Sequence, residues 1–451
     1  MVTPGILIAA TGSGTGKTTV ATGLMAALSR EHTVAPFKVG PDYIDPSYHA
    51  LATGQPGRNL DSVMCPGLIG PLYAHGSANA DFAVVEGVMG LFDGRITGQH
   101  TDIPAGSSAE IAAELGLPVI LVVDVRGMSQ STGALVRGFA TADSSVRVAG
   151  VILNQVGSQR HEAVCRTAVE AIGVPVVGAI PRVEQVDVPS RHLGLITAAE
   201  YGRAAREAVD RMADLVAQHC DVTAIKRLAD CSYDGPHWDP AEWVTGGEPT
   251  TIALAAGPAF TFSYAEHREL LEAAGATVVD FDPLVDEFPN CDGLIVPGGF
   301  PEEYVEKLSG RQELRAAVRA HVAAGKPVHG ECAGLLWLVE TLDAHPMLGV
   351  IGTHAVMGRR LTLGYREAVA VQDSVLYRAG ERITGHEFHH TALTQHTAEG
   401  FAPAWAWRGW DGASHREGFV REQIHASYLH VHPAGAPHAV QRFVDACRKL
   451  K

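Results

Sequence analysis

The segment Ile6-Leu7-Ile8-Ala9-Ala10-Thr11-Gly12-Ser13-Gly14-Thr15-Gly16-Lys17-Thr18-Thr19 decides how this chain is read. An apolar run of strand length enters a glycine-spaced loop, and Val20 to Leu28 continues as a helix. Backbone N–H groups of such a loop face a phosphate, the helix adds its positive N-terminal end, and Lys17 reaches the β and γ oxygens. Gly12, Gly14, Gly16, Lys17, Thr18 and Thr19 are the expected nucleotide contacts, with the Thr18 hydroxyl on Mg²⁺. The spacing misses GxxxxGK[ST] by one residue, because Thr11 holds the first glycine position and Gly12 follows it. The order strand, loop, helix restores the assignment.

Downstream, apolar runs at 33–39, 82–86, 118–124, 147–154 and 175–180 alternate with helix-length segments. Val- and Ile-rich runs of this length read as parallel strands buried on both faces, hence a doubly wound α/β sheet. Such sheets bind ligands outside the carboxyl ends of their strands, so strand-end residues are the candidates. Lys38 closes the second run in FKVGPDYIDP, with Asp42 and Asp45 just beyond it. Glu86 closes the next in VVEGVMGLFDG, where a carboxylate anchors the magnesium hydration shell. Asp93, farther into the same loop, either touches substrate or caps its turn. Asn154 and Pro181 end two later strands, where an amide reads a purine ring or serves as a turn residue.

A helical stretch from Ala198 to Gln218 and a turn-rich piece around Cys231 to Pro240 mark a connection, after which strand-like runs resume at 251–256, 277–281, 293–297 and 327–330. The last of these leads into His329-Gly330-Glu331-Cys332-Ala333-Gly334, the form of a nucleophile elbow. Cys332 is the expected nucleophile, with oxyanion donors offered by backbone N–H groups at Gly299 and Ala333. Its histidine base lies among His386, His389, His390, His425, His430 and His432; spacing does not choose, because such sites assemble in space.

Composition excludes other classes. The 451 residues are 46% hydrophobic and 19% charged, so disorder does not fit. Fifty acidic against thirty-five basic residues give a charge of −15, which argues against nucleic-acid and anionic-membrane binding. Seven scattered cysteines without a CxxC pair suggest neither a disulfide framework nor a zinc ribbon, and with no leader pattern at the N-terminus the expected compartment is the cytoplasm.

Taken together, the motifs GSGTGKTT (12–19), FKVGPDYIDP (37–46), NLDSVM (59–64), VVEGVMGLFDG (84–94), SRHLGL (190–195), PGGFPE (297–302), GECAGL (330–335), GHEFHH (385–390) and SYLHVH (427–432) resemble the cobyrinic and hydrogenobyrinic acid a,c-diamide synthase family. The resemblance spans nearly the whole chain. It implies a dethiobiotin-synthetase-like P-loop synthetase domain at 1–190, a connection at 191–250 and a class I glutamine amidotransferase domain at 251–451. It also implies ATP- and glutamine-dependent amidation of a corrinoid through acyl phosphates. Cys332 is then the nucleophile and His430 its base; Lys17 and Lys38 neutralise phosphates; Asp42, Asp45, Glu86 and Asp93 are active-site acids, Asp45 and Glu86 assigned to the metal and Asp42 and Asp93 to substrate. Arg359, Arg360, Tyr365 and Arg366 are offered as contacts for substrate carboxylates. His432 stands where triad amidotransferases usually carry Glu, which leaves the third member of the triad open. The resemblance leaves room for a homodimer. A partition-type ATPase is the rival from another class, but Gly12 stands where those proteins carry an extra lysine, and Cys332 would have no task.

Overall fold

The computed structural model describes residues 2–96, 98, 101–182, 190–191, 194–195 and 198–449; His192 and Leu193 of the SRHLGL motif lie outside them. The chain forms two units, Met1–Trp238 and Asp239–Lys451.

In the first unit, β1 (Gly5–Ala10), β2 (Val34–Val39), β3 (Arg58–Leu60), β4 (Phe82–Glu86), β5 (Val119–Asp124), β6 (Val148–Val156) and β7 (Val176–Pro181) form one parallel sheet in the order β3-β2-β4-β1-β5-β6-β7. All but β3 coincide with the apolar runs. β3 escapes that signal because Arg58-Asn59-Leu60 carries a single apolar side chain. β1 and β2 are buried at every residue, the signature of strands covered on both faces. One layer of the core joins Ile6, Ile8, Val84, Ile120, Val122 and Ile152 to Val20, Leu24 and Met25 of α1 (Lys17–Leu28).

The helix Ala198–His219, read from sequence as part of a connection, packs against α1 within this unit. Ala205, Ala208, Val209, Met212, Ala213 and Val216 recur at helical spacing and are buried, so the segment has an apolar stripe that a free linker would leave in water.

In the second unit, five parallel strands, Ala276–Phe281, Thr250–Ala255, Gly293–Val296, Val328–Glu331 and Ile424–Ser427, stand in that order, with Phe419–Arg421 added antiparallel at the edge. A second sheet is built on the long strand Ile351–Ala370, which pairs antiparallel with Arg382–Leu393. Phe260, Trp337, Leu294, Val328 and Leu335 share the core of this unit. Among the described residues no helix is long and apolar enough to cross a membrane.

Candidate functional site

The phosphate loop turns into α1 at Gly16, whose φ of 93° lies in the left-handed region that glycine adopts without strain. Asn154, at the end of β6, donates through Nδ2 to the Thr15 carbonyl at 2.8 Å, while its Oδ1 accepts from Gln155 N at 2.9 Å. Its amide is thus tied to the loop. Beside it, Pro181 closes β7 opposite Val156.

Three carboxylates and two lysines gather at the carboxyl ends of β2 and β4. Lys17 Nζ lies 3.2 Å from Glu86 Oε1, which also accepts the Thr18 hydroxyl at 2.7 Å. Thr18 Oγ1 is 3.5 Å from Asp45 Oδ2. Lys38 Nζ lies 3.6 Å from Asp42 Oδ2 and 3.8 Å from Asp45 Oδ2, and it donates to the Gly87 carbonyl at 3.2 Å. Asp42 Oδ1 accepts the backbone N–H groups of Ile44 and Asp45, which fixes the PDYID turn.

Burial would raise the Glu86 carboxyl, but Lys17 and His49 outweigh it and carry the group below the carboxylate range. Burial lowers the Lys38 ammonium, yet Asp42, Glu86 and Asp45 together bring it above its ordinary value. Asp45 is pushed well up by burial and by the neighbouring Asp42 and Glu86. The acids outnumber their cations, which is the condition a divalent cation relieves. Among the described residues no three His, Cys, Asp or Glu side chains form a closed metal cage. The oxygens of Thr18, Asp45 and Glu86 instead suit Mg²⁺, a hard cation that keeps several waters and phosphate oxygens as ligands.

Asp93 is exposed, and its Oδ2 accepts the Gly90 N–H at 2.8 Å, so its carboxylate closes its own turn. His49, which sequence reading passed over, is buried and places Nε2 2.7 Å from Glu86 Oε2. It sits four residues after Asp45 on the helix Asp45–Thr53, and that spacing, one face of a helix, was the available signal.

In the second unit Cys332 sits between the strand Val328–Glu331 and the helix Ala333–Leu338, with φ 50° and ψ −97°. A non-glycine residue held there marks a strained turn. Its N–H donates to the Ser427 carbonyl at 2.7 Å, and its thiol lies 3.9 Å from the Phe388 carbonyl. Burial, then Glu302 and Glu331, push the Cys332 thiol well above its ordinary value, while the Ala333 N–H acts in the opposite sense. The resting group is therefore a thiol that needs a base.

His430 is fully buried and hydrogen-bonded through Nδ1 to Glu331 Oε1 at 2.8 Å. Its backbone exchanges hydrogen bonds with His386 at 2.8 and 2.9 Å. A side chain on Gly298 would meet His430 Cε1 at 2.5 Å, so the first glycine of PGGFPE makes room for the imidazole; Gly299 packs as closely on the Ala259 carbonyl. The other histidines have different surroundings. His389 stacks on Tyr428 at 3.8 Å, and His425 lies 3.2 Å from Ser374 Oγ. His432 lies 4.0 Å from Glu266 and 4.3 Å, ring to ring, from Tyr264. His390 is half-buried on the strand Arg382–Leu393. Arg366 is paired with Glu387 at 2.6 Å, whereas Arg359 and Arg360 are exposed. Glu331, adjacent in sequence to the cysteine, was not anticipated.

Residues 6–196 match the CobQ/CobB/MinD/ParA nucleotide binding domain, and residues 251–437 the CobB/CobQ-like glutamine amidotransferase domain. Over 97% of each chain, the protein is 56% identical to the hydrogenobyrinate a,c-diamide synthase of Mycobacterium tuberculosis H37Rv. The enzyme of that name from Streptomyces coelicolor is 49% identical over 99% of this chain and 98% of its own. The cobyrinate a,c-diamide synthase of Synechococcus is 39% identical over 98% of both.

Proposed function

The chain belongs to the hydrogenobyrinate and cobyrinate a,c-diamide synthase family, and on that premise we propose how its two units divide the reaction. It is an amide-forming ligase with glutamine as nitrogen donor, acting with ATP on the a and c carboxylates of a corrinoid in cobalamin biosynthesis. The observation that carries the division is the presence, in one chain, of a phosphate loop meeting buried Glu86 and an elbow whose Cys332 follows the carboxylate that holds His430.

A carboxylate is a poor electrophile toward ammonia. In the first unit the γ-phosphoryl group of ATP passes to a substrate carboxylate, and ammonia displaces phosphate from the resulting acyl phosphate. Gly12, Gly14, Gly16 and Thr19 belong to the loop that cradles the nucleotide, which Asn154 braces from the side and Pro181 borders. Lys17 and Lys38 neutralise charge on the transferring group. Thr18, Asp45 and Glu86 would hold Mg²⁺, which supplies further neutralisation of the phosphates when bound. Asp42 and Asp93 orient the macrocycle. Two carboxylates are converted, so the cycle runs twice.

In the second unit Cys332 gives its proton to His430 and attacks the glutamine amide, with backbone N–H groups of Gly299 and Ala333 receiving the oxyanion. As the adduct collapses to the thioester, His430 returns that proton to the departing nitrogen, which leaves as ammonia, and water then hydrolyses the thioester to free glutamate and restore the thiol.

Incubation with ATP, Mg²⁺, glutamine and either hydrogenobyrinate or cobyrinate, followed by mass analysis, tests the reading. Two amides at a and c, with ADP and glutamate formed, are expected. Amidation at other positions, or none on either macrocycle, would overturn it.

A further inference from the structure

A histidine serves as base to a thiol only when the nitrogen facing the thiol is unprotonated, so its other nitrogen must carry a proton and place it on an acceptor. At His430 that acceptor is Glu331, 2.8 Å away, with the imidazole fully buried and the carboxylate side chain 11% exposed. The second oxygen of Glu331 accepts the Val431 N–H at 3.3 Å. One carboxylate thus holds both the ring and the backbone beside it.

The strands explain the arrangement. Glu331 ends the strand Val328–Glu331 opposite Ser427 of the parallel strand Ile424–Ser427, so the chain that carries His430 leaves the sheet next to the elbow. His432, where other triads carry Glu, is engaged elsewhere: Nδ1 accepts the Ala434 N–H at 3.3 Å, and the ring packs on Tyr264.

Glu331 also lines a cavity of about 50 Å³ together with His267, His329 and His425. Burial holds these three imidazoles down, at about 4, 3 and 3 respectively, so near neutral pH they bring no positive charge to the carboxylate. Burial would raise Glu331 itself, but His430 outweighs it and keeps the carboxyl below its ordinary value. The imidazolium formed when His430 takes the thiol proton therefore has an ionised partner in place.

We propose that Glu331, the residue immediately before the nucleophile, is the positioning carboxylate of the glutaminase site and acts through His430. This rests on the reading of Cys332 and His430 given above.

Glu331→Gln keeps size and polarity but can present N–H to Nδ1, which drives the proton to the nitrogen that must be free. The glutamine-dependent kcat should fall toward the roughly ten-thousandfold loss seen when a triad loses its orienting carboxylate, and by no less than about thirtyfold. The KM for glutamine and the amidation rate with added ammonia should stay near those of the parent. Glu331→Asp keeps the charge with shorter reach, and its kcat should lie between parent and Glu331→Gln. A loss below about thirtyfold in Glu331→Gln, or equal losses with glutamine and ammonia in both variants, would overturn the positioning role. Cys332→Ser separates the two levels. If it retains glutamine-dependent synthesis, the glutaminase itself is misplaced; if it loses that activity while Glu331→Gln keeps it, only the role of Glu331 fails.

Discussion

Lys38 and Glu86 are paired residues of the adjacent parallel strands β2 and β4, and both are buried. The pairing sets an ammonium among Glu86, Asp42 and Asp45 at the end of the sheet where the phosphate loop opens.

Lys38→Met should therefore cost stability as well as synthesis with either nitrogen source. Removing one side of a buried ion pair typically costs about 3–5 kcal/mol, reduced here to the extent that the acids take up protons. With Lys38 removed, Asp42 and Asp45 lose a cation that lowers them and titrate higher in the folded variant than in the folded parent, so the variant loses stability relative to the parent as pH rises. The deficit in urea midpoint should be larger at pH 7.5 than at pH 5. An equal deficit at both values would show that the ammonium does not lower the Asp42 and Asp45 carboxyls.

Nitrogen source distinguishes the two units. Lys17→Ala and Glu86→Gln should each lower amidation by about a hundredfold or more with glutamine and with ammonia alike, because contacts of this kind are worth about 3 kcal/mol. Cys332→Ser and His430→Ala should abolish only the glutamine-dependent rate. Ammonia-dependent synthesis lost in Cys332→Ser, or kept in Lys17→Ala, would reverse the assignment of the units.

Most of the parallel strands were legible because their positions are apolar without interruption, as in Ile6 to Ala10 and Val119 to Val123, whereas Arg58–Leu60 and Ile424–Ser427, also parallel, carry no such run. The strand Ile351–Ala370 was not: burial alternates at Ile351, Thr353 and Ala355 and again at Ala368 and Ala370, but the stretch between them has no period and holds a register shift between Met357 and Thr362. The phosphate loop and the cysteine elbow could be read because each is contiguous in sequence. Glu331 and His430 are 99 residues apart, and only the register of two strands brings them together.

Glu417 gives a pH dependence of definite sign. Burial raises its carboxyl to about 8 from an ordinary 4.5, although Ser427 Oγ donates to it at 2.6 Å and Tyr428 N at 2.8 Å. The folded chain keeps this proton to higher pH than the unfolded chain, so its contribution is fully present below about 4.5 and is lost as pH rises toward 8. The slope for one proton is at most about 1.4 kcal/mol per pH unit. Glu417→Gln retains an acceptor for Tyr428 N and a donor for Ser427, cannot ionise, and should gain stability relative to the parent as pH rises from about 4 to 8. Parallel stability curves from pH 5 to 8 would show that Glu417 titrates normally in the folded chain.

Asp93 separates substrate placement from metal binding. Its Oδ2 already accepts the Gly90 N–H, and an asparagine oxygen can do the same, so Asp93→Asn should leave the turn intact while removing the charge. If the exposed carboxylate orients the macrocycle, its loss weighs most on the second amidation, when the singly amidated product must be held in a new orientation. We expect unchanged ATP affinity and Mg²⁺ dependence, together with build-up of a monoamide in mass-analysed time courses. Equal slowing of both steps with a raised Mg²⁺ requirement would place Asp93 with Glu86 and Asp45 at the metal instead.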